Sequence, residues 1–168
     1  QSTWGGTHAE SWTSMEVMKN NPLYEEVFQQ FAPEKLTRQK DIPKVPATLW
    51  NGMIAPILGY TVKGNIWYQG ESNSVRYEKY DQVFTHLIKD WRMRWGQPDM
   101  PFYFMQIAPQ YKQPAGIREA QWKVWQHSKL KNIGMAVVTD ACDSTDIHPR
   151  MKQQAGERFA AWALAKQY

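Results

Sequence analysis

The stretch VKGNIWYQGESNS, residues 62–74, passes from an apolar run into a polar cluster within a few positions. Residues 62–68 read as a short strand, so Gln69, Gly70, Glu71, Ser72 and Asn73 fall where that strand ends. In α/β proteins the loops at the carboxyl ends of parallel strands are where ligands and reacting groups collect. One loop therefore bears on both the fold class and the first candidate site.

Working outward, residues 74–95 carry Tyr77, Tyr80, Phe84, Leu87, Trp91 and Trp95 at three- and four-residue steps, which predicts a long helix closed by Gly96. Asn73 or Ser74 can cap its start. Residues 101–107 read as a strand, 116–128 as a helix with Ile117, Ala120 and Val124 inward, and 133–139 as a further strand. A last helix is predicted after Pro149, with that proline at its first position and Ala155, Phe159, Trp162 and Ala163 as its inward stripe. Strand and helix alternate three times, the pattern of a parallel sheet covered by helices. Upstream, residues 11–30 look helical, 47–58 suggest a shorter helix interrupted by Pro56, and 31–46 read as a Pro-containing connector. Residues 1–4 read as the tail of a strand entering a Gly turn. A single domain over 1–168 is expected, since 168 residues and 42% hydrophobic content suit one packed core.

Composition narrows the function. The formal charge of +4 comes from 20 basic and 16 acidic residues scattered along the chain, without the basic stripe that nucleic-acid binding needs. No stretch reaches the roughly 18 uninterrupted apolar residues of a membrane span. A lone cysteine, Cys142, excludes an internal disulfide and a multi-cysteine zinc site. Nine tryptophans and eight tyrosines supply rings suited to cores and to the apolar faces of sugars.

Three polar clusters fall at predicted strand ends: Trp4-Gly5-Gly6-Thr7, Gln69 to Asn73, and Asp140 to Pro149. Together they offer a Gly turn, side-chain amides and an Asp/His pair, the inventory of acyl transfer. His148 precedes a proline, at a helix start where Ser, Thr, Asp or Asn would serve the helix better. With Asp146 two residues before it and Asp143 five before it, it reads as a base oriented by a carboxylate. Gln69 and Gly70 lie too far from the following helix to cap it; Gln69 can offer an N–H to a developing oxyanion, and Gly70 suggests a close backbone approach. Asn73 and Glu71 have ready roles at a helix start and stand with Ser72 and Asp143 as alternative catalytic candidates. Ser72 lies in a poor match to the G-x-S-x-G nucleophile elbow, because the last position is Ser74. Of the other histidines, His86 and His127 read as solvated or packed, and His8 as a loop residue near the first Gly turn.

The blocks STWGGTHAESW, TLWNGMIAPI, IWYQGESN, REAQ and DIHPRMKQ, in this order over residues 2 to about 160, resemble those of sialate O-acetylesterases, a carbohydrate-esterase branch of the SGNH (GDSL-like) hydrolases. The resemblance implies a three-layer α/β/α, flavodoxin-like domain with a parallel sheet, a Ser-His-Asp mechanism without cofactor or metal, and an O-acetylated sugar such as sialic acid as substrate. It implies the oxyanion glycine at Gly5 or Gly6, an amide donor at Gln69 and the general base at His148. The family's G-Q-S-N nucleophile block has no counterpart here, so an upstream polypeptide carrying the serine is the expected partner, together with the first strand or strands of the sheet. The position three before the base, where many SGNH enzymes carry the triad acid, is Thr145. Asp146 is then the expected acid, with Asp143 in reserve and a His supported by a backbone carbonyl as a further possibility. Relatives of this kind work in secreted, periplasmic or lysosome-like settings.

Two other readings stand beside this one: an esterase whose nucleophile is Ser72, and a carbohydrate-binding or structural piece without catalysis. For substrate contacts, Arg118 and Gln121 of the REAQ block suit a carboxylate and hydroxyls, with Asn51 and Trp12 as further sugar contacts.

Overall fold

The computed structural model describes residues 1–168, apart from the side chain of Pro33. The chain groups into two compact units, Gln1–Thr61 with Gln82–Pro98 and Val62–Asp81 with Asp99–Tyr168.

The second unit contains the sheet. β1 (Asn65–Trp67), β2 (Phe102–Met105) and β3 (Ile133–Ala136) pair in parallel in the order β1-β2-β3, with Asn65 opposite Phe102 and Phe102 opposite Ile133. All four residues of β2 are buried, as expected of a central strand covered on both faces. Its alternate residues Tyr103 and Met105 pack with Ala136, Ala155 and Phe159, which ties the sheet to the last helix. Trp162 stacks on Tyr103 at 5.9 Å between centroids and donates its indole N–H to the Met135 carbonyl. The residue beneath it is Gly134, where a Cβ would come 2.4 Å from the Trp162 ring. The protein is thus α/β with a parallel sheet and helices, as its alternating pattern predicts.

Besides residues 82–94 of a long helix, the first unit is built of short helical pieces: α1 (Met15–Met18), α2 (Glu25–Gln30) and several 3-10 turns. The continuous helix expected over 11–30 is broken here. Asn20 takes a left-handed conformation at φ 62°, and Asn21 accepts the Leu23 N–H ahead of Pro22, which starts a new turn. Residues 47–58 likewise form a π-helical turn, Trp50–Ile54, followed by a 3-10 turn with Pro56 inside. The expected strand at residues 1–4 is absent; Thr7 instead donates its hydroxyl to the Trp4 carbonyl, closing a turn in which Gly6 has φ 69°. Buried Asp90 accepts both the Ser14 N–H (2.7 Å) and the Ser14 hydroxyl (2.8 Å), and Arg94 reaches the same carboxylate.

The long helix α3 (Tyr77–Arg94) follows a 3-10 turn, Glu71–Arg76, which takes the place of its predicted first turn. Gly96, with φ 64°, ends it as expected, donating to Met93 while Gln97 donates to Arg92. α4 (Ala115–His127) falls within a residue of the prediction and buries Ile117, Ala120 and Val124. α5 (Lys152–Gln167) starts three residues later than predicted. Pro149 is therefore not its first residue: it still belongs to the loop, and the Lys152 N–H turns back to the Arg150 carbonyl at 2.8 Å.

Candidate active site

In the second unit, two loops leave the carboxyl ends of strands with polar side chains. The first follows β1. The Gln69 amide nitrogen donates to Asn73 Oδ1 at 2.7 Å, and its Oε1 accepts the Tyr80 hydroxyl at 3.0 Å. Both contacts set the rotamer of Gln69. Asn73 is buried and serves this contact as well as the start of the 3-10 turn.

Behind the loop lies Gln121. It is fully buried, accepts the Ile107 N–H at 2.9 Å and donates to the carbonyls of Gln69 (3.1 Å) and Met105 (3.2 Å). One amide thereby joins α4, the end of β2 and the loop after β1. Its side chain, expected at the substrate, braces the Gln69 loop from inside the fold. Gly70 completes the packing: a Cβ there would meet Ile107 Cγ2 at 2.9 Å and Gln121 Nε2 at 3.0 Å. Since Gln121 is held by its own hydrogen bonds, Gly70→Ala is expected to lower stability by roughly 1–3 kcal/mol, as overpacking does. A urea-denaturation midpoint equal to that of the parent protein would contradict this packing.

The second loop follows β3 and holds the acidic and basic groups. His148 donates its backbone N–H to Asp146 Oδ1 at 2.8 Å, and its Nδ1 lies 3.5 Å from the same oxygen. The carboxylate thus fixes the backbone of the histidine and lies on the Nδ1 side of its ring. Asp143 has a different task, accepting the Thr145 N–H and the Thr145 hydroxyl, each at 2.7 Å. Those two hydrogen bonds, the backbone one first, hold its carboxyl below the usual range. The loop walls a concave surface of about 570 Å³, lined among others by Asp143, Asp146, His148 and Arg150. Asp140 stands at its edge in a bidentate pair with Arg158 of α5 (2.7 and 2.8 Å), which ties the loop to the helix after it.

Glu71 lies between these loops in character. Burial pushes its carboxyl up; its own backbone N–H, the charges of His148 and Lys152, and the Gly70 N–H act in the opposite direction. Ser72 sits in the 3-10 turn and has no hydrogen bond to a histidine among the described residues. Arg118, on α4, is half-buried, its carbonyl taken by the Gln106 amide.

The remaining candidates belong to the first unit. Gly5 and Gly6 are exposed in their turn, and Asn51 is exposed with its N–H on the Ala47 carbonyl. Trp12 is 4% exposed, its indole N–H donated to Thr7 Oγ1 and its carbonyl accepting the Trp91 indole, so it packs in the core. Tyr68 and Lys152 were given no role from the sequence, though they lie within the IWYQGESN and DIHPRMKQ blocks. No helix among the described residues is long and apolar enough to cross a membrane.

Comparison with known proteins gives a consistent result. Residues 1–165 match the family described as carbohydrate esterase, sialic acid-specific acetylesterase. Sialate O-acetylesterase of Mus musculus is 33% identical over 208 residues, covering 99% of this chain and 38% of that protein. The Homo sapiens sialate O-acetylesterase is 31% identical over 191 residues, covering 99% of this chain and 35% of that protein. A crystal structure of a carbohydrate acetylesterase from Xanthomonas citri superposes with a TM-score of 0.78 at 32% identity, over 96% of this chain and 34% of the other. The chain thus spans between a third and two fifths of the length of the relatives it matches.

Proposed function

The chain belongs to the carbohydrate esterase, sialic acid-specific acetylesterase family, and on that premise we propose that it supplies the general base and an oxyanion donor of a sugar O-acetylesterase. The observation that carries the reading is the Asp146–His148 pair on the loop after β3, in the same unit as the Gln69 loop after β1. In this reading the two units belong to one catalytic domain, and the nucleophilic serine comes from an upstream segment of the polypeptide.

The chemistry follows from the groups. Asp146 holds the ring so that Nε2 takes the serine proton as the serine oxygen attacks the acetyl carbonyl. The carbonyl oxygen becomes an oxyanion, stabilised by the Gln69 N–H and by backbone N–H groups at Gly5 or Gly6. The imidazolium returns its proton to the departing sugar hydroxyl, leaving acetyl-serine. Water, deprotonated by His148, then attacks that ester; acetate leaves and the proton returns to the serine oxygen.

Asp146 is favoured over Asp143, whose Oδ1 is engaged by Thr145. A second reading gives the carboxylate role to Glu71, whose buried carboxyl feels the charge of His148. Arg118 and Asn51 remain the proposed contacts to a sugar carboxylate and hydroxyls.

The test is acetate release by the complete protein from O-acetylated sialic acid, compared with an O-acetylated neutral sugar. Faster release from the sialic acid is expected. Release from neither, with the sugars nonetheless bound, would make the protein a carbohydrate-binding one instead.

A further inference from the structure

Lys152 opens α5, four residues after His148. Its ammonium lies 5.6 Å from the centroid of the Tyr68 ring, and Tyr68 is the residue between β1 and Gln69. That ring packs against the cluster formed by Tyr103, Met105 and Phe159, so it is a fixed platform. The Tyr68 hydroxyl is shut off from solvent and has no hydrogen-bond partner among the described residues. Burial first, then the negative charges of Glu71 and of Cys142 when ionised, disfavour its ionisation. The groups that act on Glu71 are its own and the Gly70 backbone N–H, His148 and Lys152, with the neutral Tyr68 phenol beside it. An aromatic face and an ammonium thus meet beside the two site loops, near enough to Glu71 for its carboxyl to feel the ammonium charge.

We propose that Lys152 is a positioning residue: its ammonium, held over the Tyr68 ring and near the Glu71 carboxyl, clamps the loop carrying His148 to the loop carrying Gln69. A cation over an aromatic face is held by the ring quadrupole, and its charge favours an ionised carboxylate nearby. The clamp acts on the angle between base and oxyanion donor and leaves sugar contacts alone. Misplacing reacting groups by even an ångström is costly in rate.

This inference rests on the esterase reading, and its test separates the two. In the complete esterase, Lys152→Met and Lys152→Arg are compared with the parent across pH, with His148→Ala as control. Lys152→Met is expected to lower kcat about 10-fold with KM nearly unchanged. Loss of the ammonium leaves burial less opposed at Glu71, so in the second reading, where Glu71 supports His148, the acid limb of the kcat/KM profile is expected to move to higher pH. Lys152→Arg keeps a charge that stacks on Tyr68 and is expected to restore most of kcat and the parent acid limb. A Lys152→Met enzyme with parent rate and profile would overturn the clamp, as would equal losses in the Met and Arg variants. If His148→Ala releases acetate as fast as the parent, the reading of the site fails independently of the clamp.

Discussion

Replacing His148 by alanine in the complete esterase is expected to abolish acetate release while leaving the fold intact. Removing one member of a serine triad costs about 10⁴- to 10⁶-fold in turnover, since base, nucleophile and acid act as a unit. The structural cost should be small: the His148 side chain is 82% exposed, and the only hydrogen bond it shares with Asp146 within normal distance runs from the backbone N–H, which alanine keeps. Exposed positions of this kind tolerate substitution within about 0.5 kcal/mol. Thermal unfolding and acetate release measured on the same preparation separate the two effects. Near-normal release would remove His148 from the mechanism.

The second large effect is expected at Gln69. An oxyanion donor acts in the transition state far more than in the bound ground state, so Gln69→Ala should lower kcat by about 10²–10³ with little change in KM. Tyr80 would lose the Oε1 acceptor at 3.0 Å but keep the Gln69 carbonyl at 3.3 Å, so the hydroxyl retains an acceptor. A raised KM with kcat unchanged would mean that Gln69 holds the sugar and not the developing charge.

The parallel sheet was legible because its strands are short apolar runs separated by helical stripes, and α3 was legible from six aromatic and aliphatic residues at helical spacing. Two expectations failed because a side chain satisfies a backbone group locally. Asn21 on Leu23 turns the chain where a helix over 11–30 was expected, and the Thr7 hydroxyl on the Trp4 carbonyl closes a turn where a strand was expected.

At the site, residue type and position at strand ends led to His148, Asp146 and Gln69, which the structure places on the loops after β3 and β1. Gln121 was not read as a brace, although 117, 120, 121 and 124 share one helical face and that face is buried. The signal was present in the spacing, and the polar side chain masked it. Tyr68 and Lys152 were missed for a different reason. Each is ordinary in sequence, and their meeting depends on α5 returning to β1 across the sheet.

The central claim, a serine esterase whose base and oxyanion donor lie in these residues, is tested most directly by a fluorophosphonate serine probe on the complete protein, with the labelled peptide identified by mass spectrometry. The account predicts label on a serine upstream of residue 1, lost in the His148→Ala variant. Label on Ser72, or no label in a protein that still releases acetate, would contradict it.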